Sequence, residues 1–266
     1  MPTVMNEKLL FLKLGGSLIT DKSQPETART EVITNLLLDL KTYLNQRNEV
    51  RVLLGHGSGS FGHYAGARYN TRAGVFTSAQ WQGFVEVWRS ARELNQIVLG
   101  IAKSIGLPLL SFPPSAGLLA SGKNIVSWDI QPLQKALAAG LISVVYGDVV
   151  FDEDLGGTIL STEELFFHLA SRLRPSRVLL AGKEAAVFAD YPANQAPVRN
   201  LDKDAPLEDF LKKSESQDVT GGMRSKVAEM QALCRQTGAQ VEIFAANHPG
   251  ELLSALNGSH SGTIIS

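Results

Sequence analysis

The apolar run Val50 to Leu54 breaks without a spacer into Gly55-His56-Gly57-Ser58-Gly59-Ser60-Phe61-Gly62-His63. The run reads as a buried strand, and the glycines after it as a turn where the backbone can approach a ligand closely. An earlier stretch has the same form. Leu9 to Leu14, apolar except for Lys13, ends in Gly15-Gly16 and predicts a second buried strand with a tight turn. A chain with two such strand-to-glycine junctions is pressed toward an α/β architecture.

The remaining chain alternates in the same way. Helical spacing joins Val32, Ile33, Leu36, Leu37, Leu40 and Leu44, and later Phe84, Val87, Trp88, Ala91, Leu94, Val98 and Ile101. Further helices are predicted over 130–139, from the capping box Ser161-Thr162-Glu163-Glu164 to Leu173, over 226–236 and over 249–256. Strands are predicted over 108–112, 141–146, 177–181, 241–245 and 263–265, with a hairpin over 149–160. Residues 190–206 read as a surface excursion, and the glycine loop is expected to run on through Tyr64, Tyr69 and Gly74. This order predicts a mainly parallel sheet with helices on both faces. The expected lobe boundary lies near the hairpin and divides the chain into 1–155 and 156–266.

Composition sets outer limits. The 266 residues are 44% apolar and 19% charged, enough for a full core. A net charge of -1 provides no footprint for nucleic acid or an acidic membrane surface, so anions must be met by local lysines and backbone N–H groups. The single cysteine, Cys234, lies in a helical pattern and predicts a buried thiol in a reducing compartment. No apolar run reaches the ~18 residues a membrane span needs, and the start of the chain has no signal-like apolar region, so a cytoplasmic location is expected.

Two familiar glycine patterns occur here, and both are set aside. Gly57 to Gly62 fits G-x-G-x-x-G, but a dinucleotide site also needs a helix opening at once and a following strand that ends in an acid. Gly117 to Asn124 has P-loop spacing, yet Asn124 stands where a magnesium-binding hydroxyl belongs, so a loop turning at Gly122 is expected. The positive reading is an anion nest: successive N–H groups over Gly57, Ser58 and Gly59 cradle a phosphate, and His63 donates to it. His56 is expected to brace the loop.

Lys13, in an apolar strand, needs a partner, and it stands immediately before a glycine turn that can hold phosphate. Lys22 is a second cation suited to phosphoryl transfer between two anions. Gly221-Gly222-Met223-Arg224-Ser225-Lys226 opens a helix whose N-terminus favours an anion. Lys226 is unfavourable there for the helix dipole, which points to another role. Asp148 and Glu163 lie at element ends, where they can orient lysines or hold magnesium. No residue is assigned as a metal ligand.

Taken together, Lys13-Leu14-Gly15-Gly16-Ser17-Leu18-Ile19-Thr20-Asp21-Lys22, His56 to His63, Gly147-Asp148-Val149-Val150 and Asp218-Val219-Thr220-Gly221-Gly222-Met223 with Lys226 resemble the amino acid kinase superfamily and, within it, the isopentenyl phosphate kinases. The resemblance covers essentially the whole chain. It implies a three-layer αβα sandwich, an N-terminal lobe for the phosphate acceptor and dimer contact, and a C-terminal lobe for ATP. It implies transfer from ATP, with Mg2+, to isopentenyl phosphate, in a homodimer. By the same resemblance, Lys13, Lys22 and His63 are catalytic, and Gly57, Ser58, Gly59 and His63 bind the acceptor. Lys13, Gly15, Gly16, Ser17, Gly222 and Lys226 contact the nucleotide.

The pattern also departs in two places. An acidic stretch of the form TDVDGVYD is expected after Leu180, where this chain reads Gly182-Lys183-Glu184-Ala185-Ala186-Val187-Phe188-Ala189. SGDD becomes Ser161-Thr162-Glu163-Glu164, one methylene longer at each acid. Rival readings are a kinase for another small phosphate or phosphonate of the fosfomycin kinase type, a catalytically silent nucleotide-binding regulator, and an NAD oxidoreductase.

Overall fold

A computed structural model describes residues 8–190, 193–207 and 222–266. Its centre is an eight-stranded sheet in the order Asn200–Leu201, Thr263–Ile265, Gln240–Ala245, Arg177–Gly182, Lys8–Leu14, Val50–His56, Ile142–Tyr146, Leu109–Ser111. Every adjacent pair is parallel except Gln240–Ala245 with Thr263–Ile265. One continuous sheet thus runs through both halves of the chain.

The strand Lys8–Leu14 shows why three layers form. Successive side chains point to opposite faces of a strand. Leu10, Leu12 and Leu14 enter one core, against helices Thr30–Leu44, Ser78–Ser104 and Glu251–Leu256. Phe11 enters the other, against helices Gln131–Ala138, Thr162–Leu173 and Gly222–Thr237. With both faces covered, the central strands can be apolar throughout, as parallel sheets require. Period two places Lys13 on the face of Phe11, toward the helix Thr162–Leu173.

Two elements differ from the sequence expectation. The segment after Gly57 is a helix, Gly59–Tyr69, which packs on the long helix Ser78–Ser104. Gly59, Gly62 and Gly66 depress its intrinsic helix propensity, but tertiary contact overrides this. A Cβ on Gly62 would run into Ser58, and one on Gly66 would lie 3.1 Å from Ile159 Cδ1. A helix thus does open directly after the glycine turn, as a dinucleotide site needs, but the next strand, Leu109–Ser111, does not end in an acid, which argues against such a site.

The second difference is an antiparallel hairpin, Leu118–Ser121 with Asn124–Trp128, where a loop is predicted. It joins Asp148–Asp152 and Gly156–Leu160 in a four-stranded sheet. Its turn lies at Gly122 and Lys123, both with positive φ. Asp152 accepts hydrogen bonds there from Gly122 N and Lys123 N at 3.0 and 2.7 Å. The P-loop lookalike is a hairpin turn held by an internal carboxylate. Cys234 is buried, as predicted. Among the described residues no helix is long and apolar enough to cross a membrane.

Candidate active site

The two glycine turns meet at the carboxyl edge of the sheet, where strands Lys8–Leu14 and Val50–His56 lie side by side. Contact is between backbones. A Cβ on Gly16 would lie 2.5 Å from Gly59 N, and one on Gly57 would lie 2.9 Å from Gly16 N. Gly59 has φ +50 and faces Thr20 and Gly16 O, so only glycine fits without strain. Thr20 fastens the two turns. Its buried hydroxyl donates to Gly16 O at 2.7 Å and accepts from Ser60 N at 2.9 Å.

A cavity of about 500 Å³ opens over this junction. Lys13, Gly15, Gly16, Ser17, Lys22, Gly57, Ser58, Gly59, His63 and Lys226 all line it. The Lys13 ammonium is 4.0 Å from where a Cβ on Gly57 would stand, which ties the first lysine to the second glycine turn. Gly222 begins the helix Gly222–Thr237, and its successors Met223 and Arg224 join the lining. The predicted motif positions Asp218 to Gly221 lie outside the described residues.

Lys13 is 5% exposed and pairs with Glu163 Oε1 at 2.8 Å. Burial acts to raise the Glu163 carboxyl, but the Lys13 and Lys226 charges outweigh it and hold the group below the ordinary range. The capping box explains this placement. Ser161 accepts from Glu164 N at 3.1 Å, and Glu164 Oε2 accepts from Ser161 N at 2.6 Å. Glu164 also receives both arms of Arg72 at 3.1 and 3.0 Å. One acid of the pair thus fixes the helix start, and the other projects to Lys13. The extra methylene of each glutamate is accommodated.

Helices Gly16–Ile19 and Gly59–Tyr69 start without a side-chain cap, unlike Thr162–Leu173. First-turn N–H groups lack intrahelical partners, and a helix N-terminus favours negative charge. The geometry suits phosphate oxygens. His63 lies in the first turns of the second helix and reaches the cavity from there.

His56 has the bracing role predicted for it. It is fully buried, and its ring stacks on Tyr146 with centroids 5.2 Å apart. Burial lowers its proton affinity, against the hydrogen bonds with Asn95 and Gly57 that raise it, and its Nδ1 lies 3.3 Å from Gly57 O. Asn95 donates through Nδ2 to Ser111, leaving Oδ1 to accept from His56 Nε2 at 3.2 Å. The His56 carbonyl accepts from Thr162 Oγ1 and Gly147 N. Asp148 departs from expectation. It neither orients a lysine nor lines the cavity, but accepts from Ser115 N and Val149 N, and burial raises its carboxyl to about 6.

Four charged lining residues were not foreseen as site residues. Arg224 and Lys183 add cations, and Glu184 and Glu229, the latter one turn beyond Lys226, add carboxyls. Burial, followed by the charges of Glu163 and Glu164, raises Glu229 to about 7. The i, i+3 spacing from Lys226 is the sequence signal that would have found Glu229. Among the described residues there is no group of three or more His, Cys, Asp or Glu able to hold a metal ion.

A second cavity, of about 400 Å³, is walled by Phe84, Trp88, Tyr146 and Phe151 among others. Ile159, which lines the main cavity, packs against the buried cluster of Val75, Phe84, Val87 and Val149.

Comparison with known proteins agrees with this geometry. The family model described as the amino acid kinase family matches residues 8–245. Isopentenyl phosphate kinase of Methanothermobacter thermautotrophicus is 32% identical over 258 residues, covering 94% of this chain and 96% of the relative. That of Methanocaldococcus jannaschii is 29% identical over 266 residues, covering 97% and 98%. An X-ray structure of an isopentenyl phosphate kinase superposes with a TM-score of 0.83 at 28% identity, over 97% of this chain and 100% of that one.

Proposed function

The chain belongs to the amino acid kinase family, and from that premise we infer that it phosphorylates isopentenyl phosphate with ATP to give isopentenyl diphosphate. One observation carries the reading: both glycine turns, Lys13, Lys22, His63 and Lys226 line a single cavity. Named relatives with that activity span nearly the whole chain.

In the reaction, an oxygen of the acceptor phosphate attacks the γ-phosphorus of ATP. The bond from that phosphorus to the β–γ bridging oxygen breaks, and ADP leaves. The protein needs no general base for so acidic a nucleophile. It must hold two anions in line and neutralise the charge between them. Ser58 and Gly59 offer N–H groups to the acceptor phosphate, Gly57, whose own N–H is held by Leu14 O at 3.1 Å, lets the backbone come close, and His63 adds a donor. Lys13, steadied by Glu163, and Lys22 face the transferring group. Gly15, Gly16, Ser17, Gly222 and Lys226 serve the nucleotide. Magnesium bound together with ATP would add positive charge to that of Lys13 and Lys22 at the transferring phosphates.

The apolar tail runs past Ile159 toward Phe84 and Trp88, the walls expected from the long helix. Apart from the turn Gly15, Gly16 and Ser17, residues 1–155 serve the acceptor and 156–266 serve ATP, in a homodimer in the cytoplasm. The test is ATP consumption by the purified protein with isopentenyl, dimethylallyl and geranyl phosphates and with fosfomycin. Turnover fastest with the five-carbon phosphates is expected. A preference for fosfomycin would assign the second kinase reading. ATP bound without turnover of any acceptor would assign the silent regulator, and NADH binding would revive the oxidoreductase.

A further inference from the structure

Strand Arg177–Gly182 lies parallel to strand Lys8–Leu14, with Ala181 opposite Leu14. The two chain exits are therefore neighbours at the edge of the sheet where α/β proteins hold ligands. The first exit leads to Lys22. Lys183 is the first residue of the second exit. Both line the main cavity.

The backbone beneath Lys183 is fixed on both sides. Ala181 O accepts from Gly15 N at 2.8 Å, and Gly182 O accepts from Ala246 N at 3.0 Å. Lys183 O accepts from Asn247 Nδ2 at 2.9 Å. The side chain thus projects from a held base rather than a free loop.

Its surroundings are rich in positive charge. Partial burial, then the charge of Arg29, lowers the Lys183 proton affinity; Lys22 acts in the same direction, and Asp21 and Glu184 oppose them. Asp21 is already engaged, accepting from Ser23 N and Oγ at 2.9 and 2.7 Å and lying 4.0 Å from Arg29. Among the described residues no carboxylate lies within ion-pair distance of the Lys183 ammonium. Such crowding of cations is unfavourable alone and favourable once an anion enters between them. The resemblance pattern leads to aspartates at positions 183, 185 and 189, where this chain has Lys183, Ala185 and Ala189. The mouth is more positive than the pattern implies.

We propose that Lys183 is a nucleotide-binding residue, its ammonium closing with Lys22 on the polyphosphate of the bound nucleoside triphosphate. The proposal rests on the kinase reading for the identity of the anion. It makes affinity depend on the number of phosphates and on salt, because the contact is a charge at a half-open mouth.

The test is calorimetric binding of AMP, ADP and the non-hydrolysable analogue AMP-PNP, with magnesium in excess, to the wild type, Lys183→Ala, Lys183→Arg and Lys183→Asp. Lys183→Ala should weaken AMP-PNP by about tenfold and leave AMP within twofold, with the difference shrinking as salt rises. Lys183→Arg should stay within about threefold, and Lys183→Asp should be weaker than Lys183→Ala. In turnover assays the loss should fall on KM for ATP and leave KM for the acceptor unchanged. Equal losses for AMP and AMP-PNP, or AMP-PNP affinity within twofold of wild type in Lys183→Ala, would overturn the proposal. A wild type that binds AMP-PNP but phosphorylates no isoprenoid phosphate would remove the acceptor assignment and leave the Lys183 comparison intact. Failure to bind any nucleotide would remove both.

Discussion

The two walls of the cavity are built by different means. The wall made by residues 13–20 and 57–63 is backbone against backbone, with glycines in van der Waals contact and Thr20 bonded to both turns. The facing wall, from Lys183, Arg224, Lys226 and Glu229, is made of charged side chains on one strand exit and one helix. The first wall fixes position by steric exclusion. The second adjusts charge. Substitutions in the first should therefore have large effects that salt cannot alter, and those in the second smaller effects that follow salt and pH.

The strongest way to break the contrast is Gly59→Ala. The new Cβ would overlap Thr20 Oγ1 and lie 2.6 Å from Gly16 O, at a φ of +50. Separating the turns should cost about 2–3 kcal/mol of stability. Misplacing the acceptor cradle by ~1 Å should lower kcat/KM by at least about 100-fold. Thermal unfolding and steady-state kinetics check both parts. Activity within tenfold of wild type would show that the two turns need not touch.

His63→Ala should come next. Losing one preorganised donor to a phosphoryl oxygen should lower kcat about 100-fold. ATP binding, measured by calorimetry, should stay within about twofold, because His63 rises from the acceptor-side helix. An unchanged rate would remove His63 from the mechanism, and an equal loss of ATP affinity would merge the two walls.

The two walls were unequally legible in the sequence. Glycine runs after apolar strands advertise a backbone cradle, so the first wall was readable down to Lys13 and His63. The three-layer fold was readable for a related reason: apolar runs and 3.6-residue periodicities report burial directly. Thr20 was visible only as part of a motif, since a threonine bridging residues 16 and 60 leaves no local pattern. The helix Gly59–Tyr69 was hidden because its glycines serve packing against Ser58, Ile159 and Thr20 while lowering local propensity. The hairpin at Gly122 was hidden because its stabilising carboxylate, Asp152, comes from a distant strand. The second wall was hardest to read. Charged residues at a strand exit or on a helix usually face water: nothing local told Lys183 apart from solvated neighbours, and Glu229 was marked only by its i, i+3 spacing from Lys226.

The smallest effect expected is at Glu229, and it tests whether the second wall responds to pH. Its carboxyl lies at about 7, against an ordinary 4.5, because burial and the negative charges of Glu163 and Glu164 outweigh Arg72 and Lys13. A folded-state pKa raised in this way means that the folded protein holds the proton more tightly than the unfolded chain. The contribution to stability is full below pH ~4.5 and is lost as pH rises through ~7. Glu229→Gln carries the neutral form at every pH, so it should match wild type near pH 5 and exceed it above pH 8, by up to about 3 kcal/mol. Asp148, raised to about 6 by burial, gives wild type a further loss of the same sign, but it is common to both proteins and cancels in the difference. Urea unfolding of the pair from pH 5 to 8.5 measures that difference. Parallel curves would mean that Glu229 ionises as it does in water, and that the charged wall is open enough for solvent to screen its carboxyl from Glu163.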